Sequence, residues 1–269
     1  MLTAREHIQL CLSKLATPLW WPGLAERLVK EYAARSEGYS TSQWIASVPP
    51  SKAWKVAAQG TAEFRTVIEL LPALAAQELS FKGVPFADDA SITTYGLAGL
   101  ENALSLLQQV PSLAETVGAV AKRVHILESS EPGFDVSYSD PSIPFSVFLN
   151  ISEGRFATLR TTEALVHEAM HLQLSLIEQI VPIANVDQGL HYSPWKRCKR
   201  PVGGLMHALY VFRVIDQWLA HLPKTSQEAL DYAEKRRREI TEEIEQLDPA
   251  SFSDHLTVDG RQLLSRLLP

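Results

Sequence analysis

The run LVHEAMHLQLSLIEQI, Leu165 to Ile180, constrains this chain more than any other stretch. Leu165, Val166, Met170, Leu172, Leu174, Leu176, Ile177 and Ile180 cannot share one stripe, so a helix here is apolar nearly all round and has to be enclosed. His167, Glu168, His171 and Glu178 interrupt it, and buried polar groups are costly unless paired, hydrogen-bonded or bound to metal. His167 and His171 are four residues apart, which puts both imidazoles on one helix face, able to close on one ion. Glu168, the candidate catalytic residue, stands between them to hold a metal-bound water or to accept a hydrogen bond. The plain alternative is a pair of core histidines bonded to carbonyls or to Glu178, and the motif alone names no third ligand.

A chain of 269 residues, 46% hydrophobic, suffices for a sizeable core. The pattern predicts a mainly α single domain over 1–269, with a core at 139–222 and a charged helix and docking tail over 225–269. A net charge of −6 argues against a nucleic-acid binder. Cys11 and Cys198 are the only cysteines, and free thiols suit a reducing cytosol. No apolar run reaches about 20 residues and the first residues do not read as a signal peptide, so a cytoplasmic protein without a membrane span is expected. Oligomeric state is not legible.

Along the chain, residues 1–35 read as two helices around Trp20 and Trp21, and 36–50 as irregular. Helical patterns follow over Ala53 to Leu79, broken or kinked at Pro72, then over Thr94 to Val110 and Ala114 to Leu127. After Glu128 the texture changes, and Phe145 to Ile151 is rich in β-formers. One or two strands are expected there, pairing with Arg123 to Leu127 if that segment is extended. Thr161 or Thr162 then caps the histidine helix, with Glu163 in its first turn. Near the end, Thr225 and Glu228 have capping-box spacing, and Leu263, Leu264, Leu267 and Leu268 dock a short amphipathic tail.

A second constellation follows Pro182. Lys196, Arg197, Lys199 and Arg200, flanked by Tyr192, Pro194, Trp195 and Pro201, read as a small anion site in an acidic protein, against a merely solvated basic loop. Pro201 is placed to open a helix to about Leu222, and Gly203 and Gly204 permit close backbone approach. His207, within two turns of the cations, is the leading third ligand; Glu178, Asp187 and His191 are weaker candidates. His7, His125, His221 and His255 lack comparable context, and Asp216 suits the orienting of an arginine or a histidine.

The blocks LVHEAMHLQLSLIEQIVP and YSPWKRCKRPVGGLMHALYVF, with SDPSIPFSVFLN more loosely before them, resemble the HExxH-type peptide β-hydroxylases, iron- and 2-oxoglutarate-dependent enzymes of bacterial peptide modification. The resemblance covers roughly residues 139–222. It implies a mostly helical oxygenase with a short β element before the HExxH helix and no double-stranded β-helix. Such an enzyme hydroxylates an unactivated side-chain carbon of a peptide, a ribosomally made precursor being one such substrate. By position, His167, His171 and His207 would hold Fe(II), and Lys196 and Arg200 would lie near the 2-oxoglutarate carboxylates, in the company of Tyr192. Lys196 stands where the family most often has arginine; a point charge cannot make arginine's two-pronged contact, so the grip falls to Arg200 or Arg197.

Nitrogen ligands suit zinc as well as iron. A zinc hydrolase with Glu168 as general base is the main rival, its site completed by His207, Glu178 or Asp187. The extended H-E-x-x-H-x-x-G-x-x-H pattern fails, with Leu174 and Ile177 at the glycine and histidine positions. A non-catalytic helical interaction protein is the third reading, from the charged segment Thr225 to Gln246.

Overall fold

Helix α1 (Ala4–Ser13) opens on a capping box in which Thr3 Oγ1 accepts from the Glu6 N–H while the Glu6 carboxylate accepts from Thr3 N–H. The computed structural model describes residues 2–14, 18–36, 49–58, 65–72, 76, 83–128, 134–141, 143–187, 189–224 and 226–268. Helix α2 (Pro22–Ser36) begins at a proline, whose fixed φ suits a first turn, and the buried Trp20 and Trp21 precede it. The described chain is mainly α-helical, and its small sheets are not closed into a barrel.

Its β component is larger than the sequence pattern suggests. Strands β1 (Lys52–Ala57), β2 (Arg65–Leu70), β3 (Arg123–Ile126), β4 (Ser137–Ser139) and β5 (Ser146–Leu149) form a five-stranded sheet in the order β1-β2-β3-β5-β4. The β2–β3 and β3–β5 pairs are parallel and the outer pairs antiparallel. The helix expected over 53–79 is therefore corrected. Val56, Thr66 and Ile68 are buried while their neighbours Lys55, Ala57, Val67 and Glu69 are more exposed, so the period that matters is two. Residues 73–75 and 77–82, and most of the stretch expected to be irregular at 36–50, lie outside the described residues.

Helix α3 (Leu97–Leu107), entered through a π-helical turn at Ile92–Gly96, matches the segment expected to be helical. The helix expected over 114–127 divides: α4 (Pro111–Val120) stops and the chain turns into β3. Strand β5 is buried along its whole length, as a strand covered on both faces must be. It leads to α5 (Ala157–Glu178), the histidine helix. That helix starts earlier than expected, after Phe156 at φ 65°. Thr161 and Thr162 sit inside it rather than at its cap, Thr161 Oγ1 accepting from Ser152 N–H and Thr162 Oγ1 donating to the Thr158 and Ala103 carbonyls. Glu163 is likewise past the first turn and pairs across to α7 (Gln227–Glu245), through Arg236 at 2.8 Å and Tyr232 Oη at 2.6 Å.

Helix α6 (Val202–His221) packs against α5, with Pro201 as its N-cap residue rather than its first helical one. Ser226 caps α7 by accepting from Ala229 N–H; Thr225, expected in that role, lies outside the described residues. The tail forms α8 (Val258–Leu267), whose Leu263, Leu264 and Leu267 are buried. Gly260 lets α8 approach the backbone of Ile183 so closely that a β-carbon would stand 2.0 Å from its carbonyl oxygen. Among the described residues no helix is long and apolar enough to cross a membrane.

His125 is buried in the sheet, stacked on Phe148 at 4.7 Å, with Nδ1 donating to the Glu69 carbonyl at 3.3 Å. Burial pushes its pKa down from 6.5 to about 4. The unfolded chain takes up a proton near pH 6.5 that the folded protein refuses, so this group's stability is full above that pH and is lost as pH falls toward 4. The loss through His125 is expected to be on the order of 3 kcal/mol. Urea unfolding of wild type and His125→Phe across this range should therefore show the variant gaining on wild type as pH falls; a constant difference would assign the acid sensitivity elsewhere.

Candidate metal centre

A cavity of about 420 Å³ lies where α5 and α6 meet β4 and a hairpin formed by β6 (Leu190–Ser193) and β7 (Cys198–Pro201). The four-residue spacing on α5 places His167 and His171 on its wall, and α6 brings His207 to the same wall. His167 Nε2 and His171 Nε2 are 3.2 Å apart. Two nitrogens bound to one ion at roughly 2.0–2.1 Å stand roughly 2.9–3.4 Å apart, so this pair has the spacing of two ligands. Burial, with lesser contributions from the Arg236 and Lys196 charges, holds His167 at a pKa of about 4, and burial followed by His167 holds His171 at about 3. Both rings are therefore neutral near pH 7, the form that carries a lone pair for a metal.

His207 reaches His171 from the other side. Its Nδ1 is 3.1 Å from His171 Nδ1, and its Nε2 is 2.8 Å from Glu178 Oε2. The four groups form a row that one set of protons satisfies: His207 donates to the Glu178 carboxylate, His171 Nδ1–H donates to His207, and His167 Nε2–H donates to His171. The three imidazoles are thus contiguous, yet among the described residues no three His, Cys, Asp or Glu side chains surround a common point. As placed, His207 is a neighbour of the His167–His171 pair rather than a third apex.

Of the weaker candidates, Glu178 belongs to the row through His207. His191 does not line the cavity and stands beside His255 and Phe252 instead. The Asp187 carbonyl accepts from His255 Nδ1. His221 sits apart, edge-on to Trp20. Asp216 orients arginines, accepting from Arg213 at 2.9 Å and Arg237 at 2.7 Å.

Glu168 is 4% exposed, and both its oxygens are engaged: Oε1 accepts from Ser137 Oγ at 2.7 Å and Oε2 from Ser139 Oγ at 2.8 Å. Oε1 is 4.0 Å from His167 Nε2. Sequence reasoning missed these serines. Their signal was the Ser-Tyr-Ser alternation at 137–139, which on a strand turns both hydroxyls one way and Tyr138 the other, onto Phe148.

The basic cluster divides. Lys196 and Arg200 line the cavity, the Arg200 guanidinium nitrogens lying 3.7 Å from where a β-carbon on Gly204 would stand. Tyr192 and Arg197 are not on the cavity wall: Tyr192 is 49% exposed, and Arg197 sits in the turn at φ 50°. The reason is the hairpin, which the reading of this stretch as an anion site did not anticipate. Cross-strand pairing puts Tyr192 with Lys199 and His191 with Arg200, on opposite faces. Trp195 stacks on Phe212, which meets His167 edge-on, giving the cavity an aromatic side.

No family model matches the chain, and no curated protein matches it either.

Removing either serine leaves part of a buried carboxylate without a donor. Ser137→Ala and Ser139→Ala are each expected to cost about 1.5–3 kcal/mol of unfolding free energy, the worth of a hydrogen bond to a charged group. In a Glu168→Leu background the same changes should cost a small fraction of that, as urea unfolding of the double-mutant cycle would measure. Equal losses in both backgrounds would mean that the hydroxyls do not act through Glu168.

Proposed function

We propose that this chain is an Fe(II)- and 2-oxoglutarate-dependent oxygenase that hydroxylates an unactivated β carbon in a peptide side chain. The observation that carries the reading is the meeting, in one cavity, of three contiguous imidazoles with two cations, Lys196 and Arg200. His167 and His171 would hold the iron through Nε2, the His167 proton then residing on Nδ1, with His207 as the third imidazole. The far carboxylate of 2-oxoglutarate would take the Arg200 fork, with the Lys196 ammonium as a point charge beside it. Bound together, iron and the 2-oxo acid would activate dioxygen, the oxidant, one oxygen atom going to the unactivated carbon and the other to succinate as carbon dioxide is lost.

The chain's own part is binding, orientation and exclusion of water. Neutral His167 and His171 meet a cation without first giving up a positive charge. Glu178 fixes the His207 ring through Nε2, and Ser137 and Ser139 fix the Glu168 carboxylate, an arrangement suited to positioning. Trp195 and Phe212 give one side of the cavity an apolar aromatic wall. A zinc hydrolase would use the same histidines with Glu168 taking a proton from water; against it stands the engagement of both Glu168 oxygens by serine hydroxyls. Cys11 and Cys198 are free thiols, in keeping with the reducing cytoplasm we assign to the protein.

Protein loaded anaerobically with Fe(II) and 2-oxoglutarate is expected to release succinate when air is admitted, well above a control of iron without protein. His207→Ala should lower Fe(II) occupancy at least tenfold in equilibrium dialysis, whereas His221→Ala should leave it unchanged. Absence of succinate with candidate peptides present, or amide hydrolysis that zinc restores and Glu168→Gln abolishes, would overturn the reading.

A further inference from the structure

We infer that the outer face of the β6–β7 hairpin docks an acidic segment of the peptide, resting on the oxygenase reading only for the identification of that peptide as the substrate. The face follows from register. Leu190 pairs with Pro201 and Tyr192 with Lys199, so these four residues share the side of the ribbon opposite His191 and Arg200. Leu190 is 62% and Tyr192 49% exposed, so this side of the ribbon presents two large apolar side chains to solvent.

Charge points the same way. No Asp or Glu occurs between Asp187 and Asp216, although the chain as a whole carries a net charge of −6. Lys196, Arg197, Lys199 and Arg200 are all exposed, and none forms an ion pair with another described residue. Lys196 and Arg200 turn to the cavity, while Lys199 on the outer face and Arg197 in the turn remain uncompensated beside it. A cationic strip with two apolar side chains, in the same hairpin as the cavity-lining Lys196 and Arg200, suits a peptide that alternates carboxylates with apolar residues. A nucleic-acid strand is the poorer match. It carries charge at every unit and would run off this short strip onto an acidic protein, whereas a peptide can confine its carboxylates to the residues opposite the hairpin.

The test uses the metal-free full-length protein and a short fluorescein-labelled Gly/Ser peptide bearing a central block of alternating glutamate and leucine. Fluorescence anisotropy should show binding that weakens with salt, and at least tenfold weaker binding when glutamine replaces glutamate. The double variant Arg197→Glu/Lys199→Glu should weaken binding at least tenfold, and Arg197→Gln/Lys199→Gln by less, with thermal midpoints unchanged because both side chains are exposed. No binding by the wild type, undiminished binding by the charge-reversed variant, or equal affinity for oligothymidylate would each overturn the inference. Iron, oxygen and 2-oxoglutarate are absent from this assay, so its failure is separate from failure to form succinate.

Discussion

Burying α5 with its polar side chains is the constraint on which the surrounding fold depends. Several of these groups meet a partner from a different neighbouring element. Glu163 takes Arg236 and Tyr232 from α7, Glu168 takes two serines from β4, and Gln173 donates to Tyr210 of α6, which in turn donates to the Leu19 carbonyl. Burial and the adjacent Glu163 carboxylate push the Tyr232 phenol far above its ordinary range, so it remains a donor. A buried group left unpaired costs about 1–3 kcal/mol, against a total stability of about 5–15 kcal/mol for an ordinary domain. Positions of α7, β4 and α6 around α5 are therefore set by hydrogen bonding as much as by apolar contact. The same contacts that specify packing hold the cavity's side chains in place.

What could be read in the sequence was local. An apolar pattern that fills every helix face reports enclosure, and a spacing of four reports a shared face, so α5 and the His167–His171 pair were legible. His207 was identifiable as a residue, but not the ring nitrogen it would present, because that depends on Glu178, which holds its Nε2. Parallel pairing between β2 and β3 leaves no local mark, and in β1 and β2 the alternation is brief enough to pass for helical spacing. The start of α5 rests on Phe156 in the left-handed region, a place where glycine would have been the readable cue. The basic run illustrates the same limit: composition counted its cations, and only strand register sorted them into an inner and an outer set.

That sorting bears on the chemistry. Around the cavity the protein supplies two carboxylates, Glu168 and Glu178, and two cations, Lys196 and Arg200. Under the proposed reading, a divalent ion together with dianionic 2-oxoglutarate leaves the set balanced, each added charge having a counterpart. With zinc and a neutral amide substrate the same cavity would hold an excess of positive charge, and Lys196 and Arg200 would have no task. Because uncompensated charge costs more beside apolar surface than in open water, and Trp195 and Phe212 give the cavity an aromatic side, an anionic co-substrate accords with the proposed reading better than a hydrolytic water would. Glu168 accords with the same reading: held by two hydroxyls, it would contribute fixed negative charge and position, and neither contribution requires it to exchange a proton in the proposed reaction.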